Sequence, residues 1–178
     1  MKMTKLTAAA LLTATAAVSL MLAGTGNRAV TNNPKSPTAE TTTMIAGKAV
    51  TIEYNAPSAR GREVEGGLIP FGGWWRFGAD TATTLTTETD LMIGDLHVPK
   101  GVYTLYVIAD DAKTWKLAVN KQTKQWGTVY KPEMDLGRTA IKLAKADGMV
   151  ETLKITLKPA ALEFTWGKTL ATVPLKAM

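Results

Sequence analysis

The side chains that could do chemistry gather in one stretch, Pro57 to Thr83, which reads PSARGREVEGGLIPFGGWWRFGADTAT. Arg62, Trp74, Trp75, Arg76 and Asp80 are its candidate ligand-binding residues. An exposed tryptophan beside an arginine suits stacking on a sugar ring or aromatic group, while the guanidinium forks onto hydroxyls or a carboxylate. Trp74 and Trp75 are adjacent, so in extended chain their side chains point to opposite faces, one toward the core and one toward solvent. A second reading is open: Phe71, Trp75 and Phe77 plug one end of the fold, Arg76 bonds loop carbonyls, and Asp80 pairs locally with Arg76.

Catalytic constellations are harder to draw. Glu53, Glu63, Glu65, Asp80 and Asp95 lie in or near this stretch, and carboxylate hydrolysis needs two such groups flanking one bond. Glu53 with Asp80 is the pair that an enzyme would use; otherwise Glu63 and Glu65 face solvent or pair with Arg60 and Arg62. Ser58 is the lone serine after the polar N-terminal region and no Gly-x-Ser-x-Gly elbow surrounds it, so a Ser58–His97–Asp triad has no support from spacing. His97 is the only histidine and there is no cysteine. That leaves no thiol chemistry, disulfide or cysteine-ligated metal, and no metal or cofactor is expected. A lipoprotein anchor, which needs a cysteine, is excluded too.

The glycines say what must hold these groups. Gly61, Gly66, Gly67, Gly72, Gly73 and Gly78 interrupt the stretch more often than a strand or helix tolerates, so it is a long ordered loop. The surroundings read as strands. Val50, Ile52 and Tyr54 alternate with polar residues, as do Leu85 among threonines, Tyr103 to Ile108, Trp115 to Val119, Ile141 to Leu143, Leu153 to Leu157, and Phe164 with Trp166. Gly94–Asp95, Pro99–Lys100–Gly101, Asp110–Asp111, Ala146–Asp147–Gly148 and Gly167–Lys168 supply turns. The expected fold is all-β, an antiparallel β-sandwich of roughly eight to ten strands, with barrel-like closure as a variant. Trp115 and Trp166 belong to its core, and Trp126 covers one end.

The chain has 178 residues and a formal charge of +6. Residues 1–25 carry the three parts of a signal peptide: basic Lys2 and Lys5, an apolar run from Leu6, and small residues at Ala23 to Gly26. An uncleaved segment would be the one point of membrane contact. Residues 26–45, polar and with Pro34 and Pro37, read as a flexible tether, leaving residues 46–178 as a single domain. Without Lys2 and Lys5 the charge of +6 falls to +4, a solubility feature rather than a nucleic-acid footprint. The lysines from Lys113 to Lys131 read as the solvated face of strands. The address is periplasmic or secreted.

Several pieces of the sequence resemble the bacterial family named domain of unknown function 2911. They are Tyr54-x-x-Pro57, Gly61–Arg62, Gly66 to Phe71, Trp75–Arg76–Phe77–Gly78–Ala79–Asp80-x-Ala82–Thr83, Pro99 to Leu105, Gln125–Trp126–Gly127, and Phe164 to Gly167 with Val173–Pro174. The family carries an aromatic where Glu65 stands and an Asn where Asp80 stands, so the neutral amide of that position is lost here. The resemblance implies an exported β domain and no reaction. With it, the residues point to a non-catalytic binding module for a glycan or another envelope component, or a partner protein. The alternatives are a hydrolase using the loop carboxylates and a purely structural or interaction domain.

Overall fold

The computed structural model describes residues 36–178. The signal peptide expected over 1–25 and the first half of the tether, residues 26–35, lie outside the described residues. Ten strands follow one another: β1 Thr38–Ile45, β2 Lys48–Asn55, β3 Gly73–Trp75, β4 Thr84–Thr87, β5 Leu91–Ile93, β6 Leu96–Val98, β7 Gly101–Ala109, β8 Trp115–Asn120, β9 Asp135–Lys158 and β10 Ala161–Ala177. Every strand pairing is antiparallel, in the order β1-β2-β4-β7-β8-β9-β10-β5-β6, with β3 off this path and paired to β7. The order has two ends, so the sheet does not close into a barrel.

The tether boundary at residue 45 needs correction. Residues 38–45 form β1 and pair with β2 along their whole length, Thr38 opposite Asn55 through Ile45 opposite Lys48. The segment is rich in β-branched threonine, which suits a half-exposed edge strand even with little to bury. Its hydroxyls also take part: the Thr41 Oγ1 accepts the Leu157 amide at 3.0 Å.

β7 is the central strand, and its sequence explains the two faces. Tyr103, Leu105, Val107 and Ala109 point into one core, which they share with Val50, Ile52, Leu85, Leu117, Val119, Phe164 and Val173. Tyr106, on the opposite face, is also fully buried. It is covered by the chain between β8 and β9: Tyr106 donates to the Val129 carbonyl at 2.9 Å, and the Gln125 amide reaches Tyr106 at 3.2 Å. Part of the lysine-dense region, Lys121 to Lys131, is therefore this covering segment and not the face of a strand.

β9 and β10 are long and bent. Where β10 steps two residues from Thr165 to Gly167, β9 steps four from Lys154 to Val150; from Gly167 to Thr169, β9 runs from Val150 to Lys145. The predicted turns at Ala146–Gly148 and Gly167–Lys168 are thus facing irregularities inside two continuous strands, not strand ends. Such bulges bend a ribbon. Residues 135–141 of β9 pair with β8, and its C-terminal part lies against β1 and β2, where the Ile155 amide donates to the Tyr54 hydroxyl at 3.0 Å. The sheet folds over its own core in this way, with the bend at Gly167 (φ 61°) facing the glycine-rich loop.

Candidate functional site

The loop between β2 and β4 is tied down at both ends. At its start the Ala59 amide donates to the Glu151 carbonyl at 2.8 Å and the Arg60 amide to the Glu151 carboxylate at 2.6 Å. Ser58 and Thr152 share a hydroxyl bond of 2.7 Å. At its end the Ala79 amide donates to the Asn55 carbonyl at 3.1 Å, and Thr83 donates to the Phe77 carbonyl at 2.8 Å. Thr81 donates to the Asn55 side chain at 2.9 Å. Arg60, Phe77 and Asp80 all hold positive φ, 51°, 53° and 55°, a conformation that persists in non-glycine residues when surrounding contacts over-determine it.

Glu65 fastens the middle of the loop to the bend in β10. Its carboxylate accepts the Lys168 amide at 2.8 Å and the Thr169 hydroxyl at 2.7 Å. A Cβ on Gly167 would stand 2.8 Å from the same carboxylate and 2.8 Å from Val64, so the bend admits only glycine there. The predicted pairing of Glu65 with Arg60 or Arg62 is replaced by this contact, because unpaired amides at a bulge are strong partners for a carboxylate.

The loop and the bend enclose a cleft of about 390 Å³. Arg62, Trp75, Arg76 and Asp80, four of the five predicted site residues, line it together with Arg60 and Trp166. Trp74 does not. It lies on the other face of β3, 37% exposed, with its ring 5.1 Å from Tyr130 and 5.6 Å from Tyr106. The opposed directions predicted for the tryptophan pair hold, and they separate Trp74 from the cleft.

Trp75 is 6% exposed and stacks on Trp166 at 5.3 Å and 21°, with Phe77 edge-on at 5.6 Å. The two indoles form a floor and offer no open face for a sugar ring, which corrects the stacking expected of Trp75. Trp75 and Phe77 do close the core; Phe71 does not, being exposed and laid over Gly66.

The arginines exchange their expected roles. Arg62 bonds the loop carbonyls, Nε to Ala59 at 2.9 Å and Nη2 to Ser58 at 3.0 Å. Arg76 makes no hydrogen bond or ion pair with the described residues through its guanidinium, so the predicted pair with Asp80 is not formed. Its stem packs closely against Gly127. A Cβ on Gly127 would lie 2.8 Å from Arg76 Cδ and 2.8 Å from the Asp80 carbonyl, and that carbonyl accepts the Gly127 amide at 2.8 Å. Gln125–Trp126–Gly127 thus serves the cleft through its glycine. Trp126 itself is 52% exposed and pairs in backbone with Thr81.

The other candidates separate. Glu53 lines a different depression of about 270 Å³, with Asn55, Thr81 and Lys124, so it does not share a site with Asp80. Ser58 is partnered by Thr152, while His97 stands on β6 at 3.5 Å from Asp90. Among the described residues no group of three His, Asp or Glu converges as a metal site. Arg60 and Trp166 were missed as lining residues. The Arg60–Gly61–Arg62 triplet was the signal for the first; the second follows only from the bend in β10.

In comparison with known proteins, the family model described as "Protein of unknown function (DUF2911)" matches residues 36–175. No curated protein and no solved structure matches the chain.

Proposed function

The chain belongs to the DUF2911 family, and from that premise we propose that it is an exported, non-catalytic protein that binds a glycan or another envelope component in the cleft between the glycine-rich loop and the bend of β9 and β10. One observation carries the reading: a loop held by hydrogen bonds at both ends brings Arg62, Trp75, Arg76 and Asp80 around a single cleft. Concave sites with a few fixed polar groups over an apolar floor are where small ligands bind. The address rests on the basic, apolar and small-residue succession of residues 1–25.

The hydrolase reading loses its carboxylate pair, since Glu53 and Asp80 line different depressions. The structural reading keeps one observation in its favour, the burial of Trp75 and Phe77 in the core. Arg76→Ala separates the two. Purified wild-type and variant domains are passed over immobilised envelope fractions and a glycan array, with Trp74→Ala as a control on the opposite face. Binding lost in Arg76→Ala and kept in Trp74→Ala, with both variants folded, supports the cleft. Equal retention of Arg76→Ala and wild type on every fraction removes it.

A further inference from the structure

We infer that the cleft selects for negative charge: its ligand carries a carboxylate or phosphate, and Arg76 is the residue that reads it. This rests on the binding reading above and narrows it. Trp75 and Trp166 are buried against each other, so the floor cannot stack a neutral sugar face-on. What remains at the cleft is polar and rich in arginine: Arg62 and Arg76 line it, with Arg60 and Asp80 beside them.

The arginines are held before any ligand arrives. Arg62 spends Nε and Nη2 on the carbonyls of Ala59 and Ser58, which fixes the plane of its guanidinium and leaves Nη1 uncommitted to them. The backbone of Arg60 is pinned through its amide to the Glu151 carboxylate. The Arg76 stem packs against Gly127, and its guanidinium has no hydrogen-bond or ion-pair partner among the described residues. A planar fork whose stem is packed and whose donors are unused by the described residues matches the paired oxygens of a carboxylate or phosphate. Ordering already present before binding lowers the entropy cost of association.

The test uses residues 36–178 with the full chain as a check, and three probes: tetragalacturonate, its neutral methyl ester, and inorganic phosphate. Titrations are followed by calorimetry and by the NMR signals of the arginine Nε–H groups, at about 20 mM and about 300 mM salt, since charge recognition near a surface is screened over this range. The acid is expected to bind roughly tenfold or more tighter than its ester, to weaken with salt, and to lose roughly ten- to hundredfold in Arg76→Gln. Arg76→Lys should recover only part, because an ammonium lacks the fork. Thermal melts confirm that the variants are folded.

A preference for tetragalacturonate over phosphate assigns a carboxylate; competition of phosphate for the same arginine signals assigns a phosphate. Ester and acid binding equally, without salt dependence, overturns the inference and leaves glycan binding standing. Phosphate binding with no saccharide bound keeps the anion and removes the glycan. No perturbation of the arginine signals by any probe overturns both.

Discussion

Gly127→Ala probes the cleft from behind, at a residue that does not itself line it. The new methyl would sit 2.8 Å from Arg76 Cδ, 2.8 Å from the Asp80 carbonyl oxygen and 3.3 Å from Arg76 Cβ. Comfortable separations between carbons are about 3.5–4.0 Å, so both neighbours must retreat by a sizeable fraction of an ångström. The arginine stem can swing. The carbonyl cannot do so freely, because it belongs to a residue at φ 55° and already accepts the Gly127 amide. Overfilling of this kind costs about 1–3 kcal/mol. For a domain of this size that corresponds to a fall in melting temperature of roughly 4–12 °C. Arg76→Ala removes the Cδ half of the clash, so the double variant should recover about 1 kcal/mol relative to the sum of the single changes. The assay is a double-mutant cycle from urea unfolding curves with matched slopes. Strict additivity, within about 0.5 kcal/mol, refutes the contact between Gly127 and the Arg76 stem.

Four further outcomes follow from the geometry. Glu65→Ala should cost about 2 kcal/mol in urea unfolding, because two charge-assisted hydrogen bonds at the β10 bend vanish together. Trp75→Ala should cost about 3–5 kcal/mol, the range for a large buried aromatic, whereas Trp74→Ala, exposed on one side, should cost less and leave cleft binding unchanged; equal penalties contradict the opposed placement. The carboxyls of Asp90 and Asp111 are held below their ordinary range chiefly by backbone amides, of Lys100 and of Lys113 and Thr114 respectively, and that of Asp95 chiefly by the Thr139 hydroxyl. The unfolded chain then takes up protons first on acidification, so stability is complete above about pH 4 and falls as pH drops through the folded values; melting temperature against pH should lose part of that slope in Asp111→Asn. All four tyrosines, Tyr54, Tyr103, Tyr106 and Tyr130, are raised primarily by burial, Tyr130 further by the neighbouring Asp135 carboxylate. Their stabilising contribution is present below about pH 10 and lost as pH rises further, so phenolate absorbance should stay low until the domain begins to open.

Period-two alternation made β2, β4, β7, β8, β9 and β10 legible, because a half-buried strand writes its inward face as every second residue, whereas the three-residue strands β3, β5 and β6 are too short to show it. It failed where burial is not the cause of the strand. β1 has threonines and one fully buried residue, Ile45, and owes its place to pairing with β2. The glycine turns at Gly148 and Gly167 were visible as breaks, but a bulge and a strand end look alike in one dimension; what distinguishes them is whether a partner continues alongside. The site was partly legible. Aromatic, arginine and glycine density located the loop, and adjacency set Trp74 against Trp75. The assignment of roles among Arg60, Arg62 and Arg76 was not legible, since it depends on Gly127 and Glu151, which lie 50 and more residues away in the chain.

The same remoteness bears on the order in which the molecule assembles. β9 and β10 meet across Pro159–Ala160, with Ala161 opposite Lys158, and can zip together with little loop closure. The walls of the cleft need partners 94 residues apart at Ser58–Thr152 and 103 apart at Glu65–Lys168. Contacts at such separations form late, since closure entropy is spent before they return anything. The C-terminal hairpin is therefore a template on which the glycine-rich loop arrives last. In refolding, strand signal should precede the ability to hold a ligand, and a ligand added early should act on the final step alone.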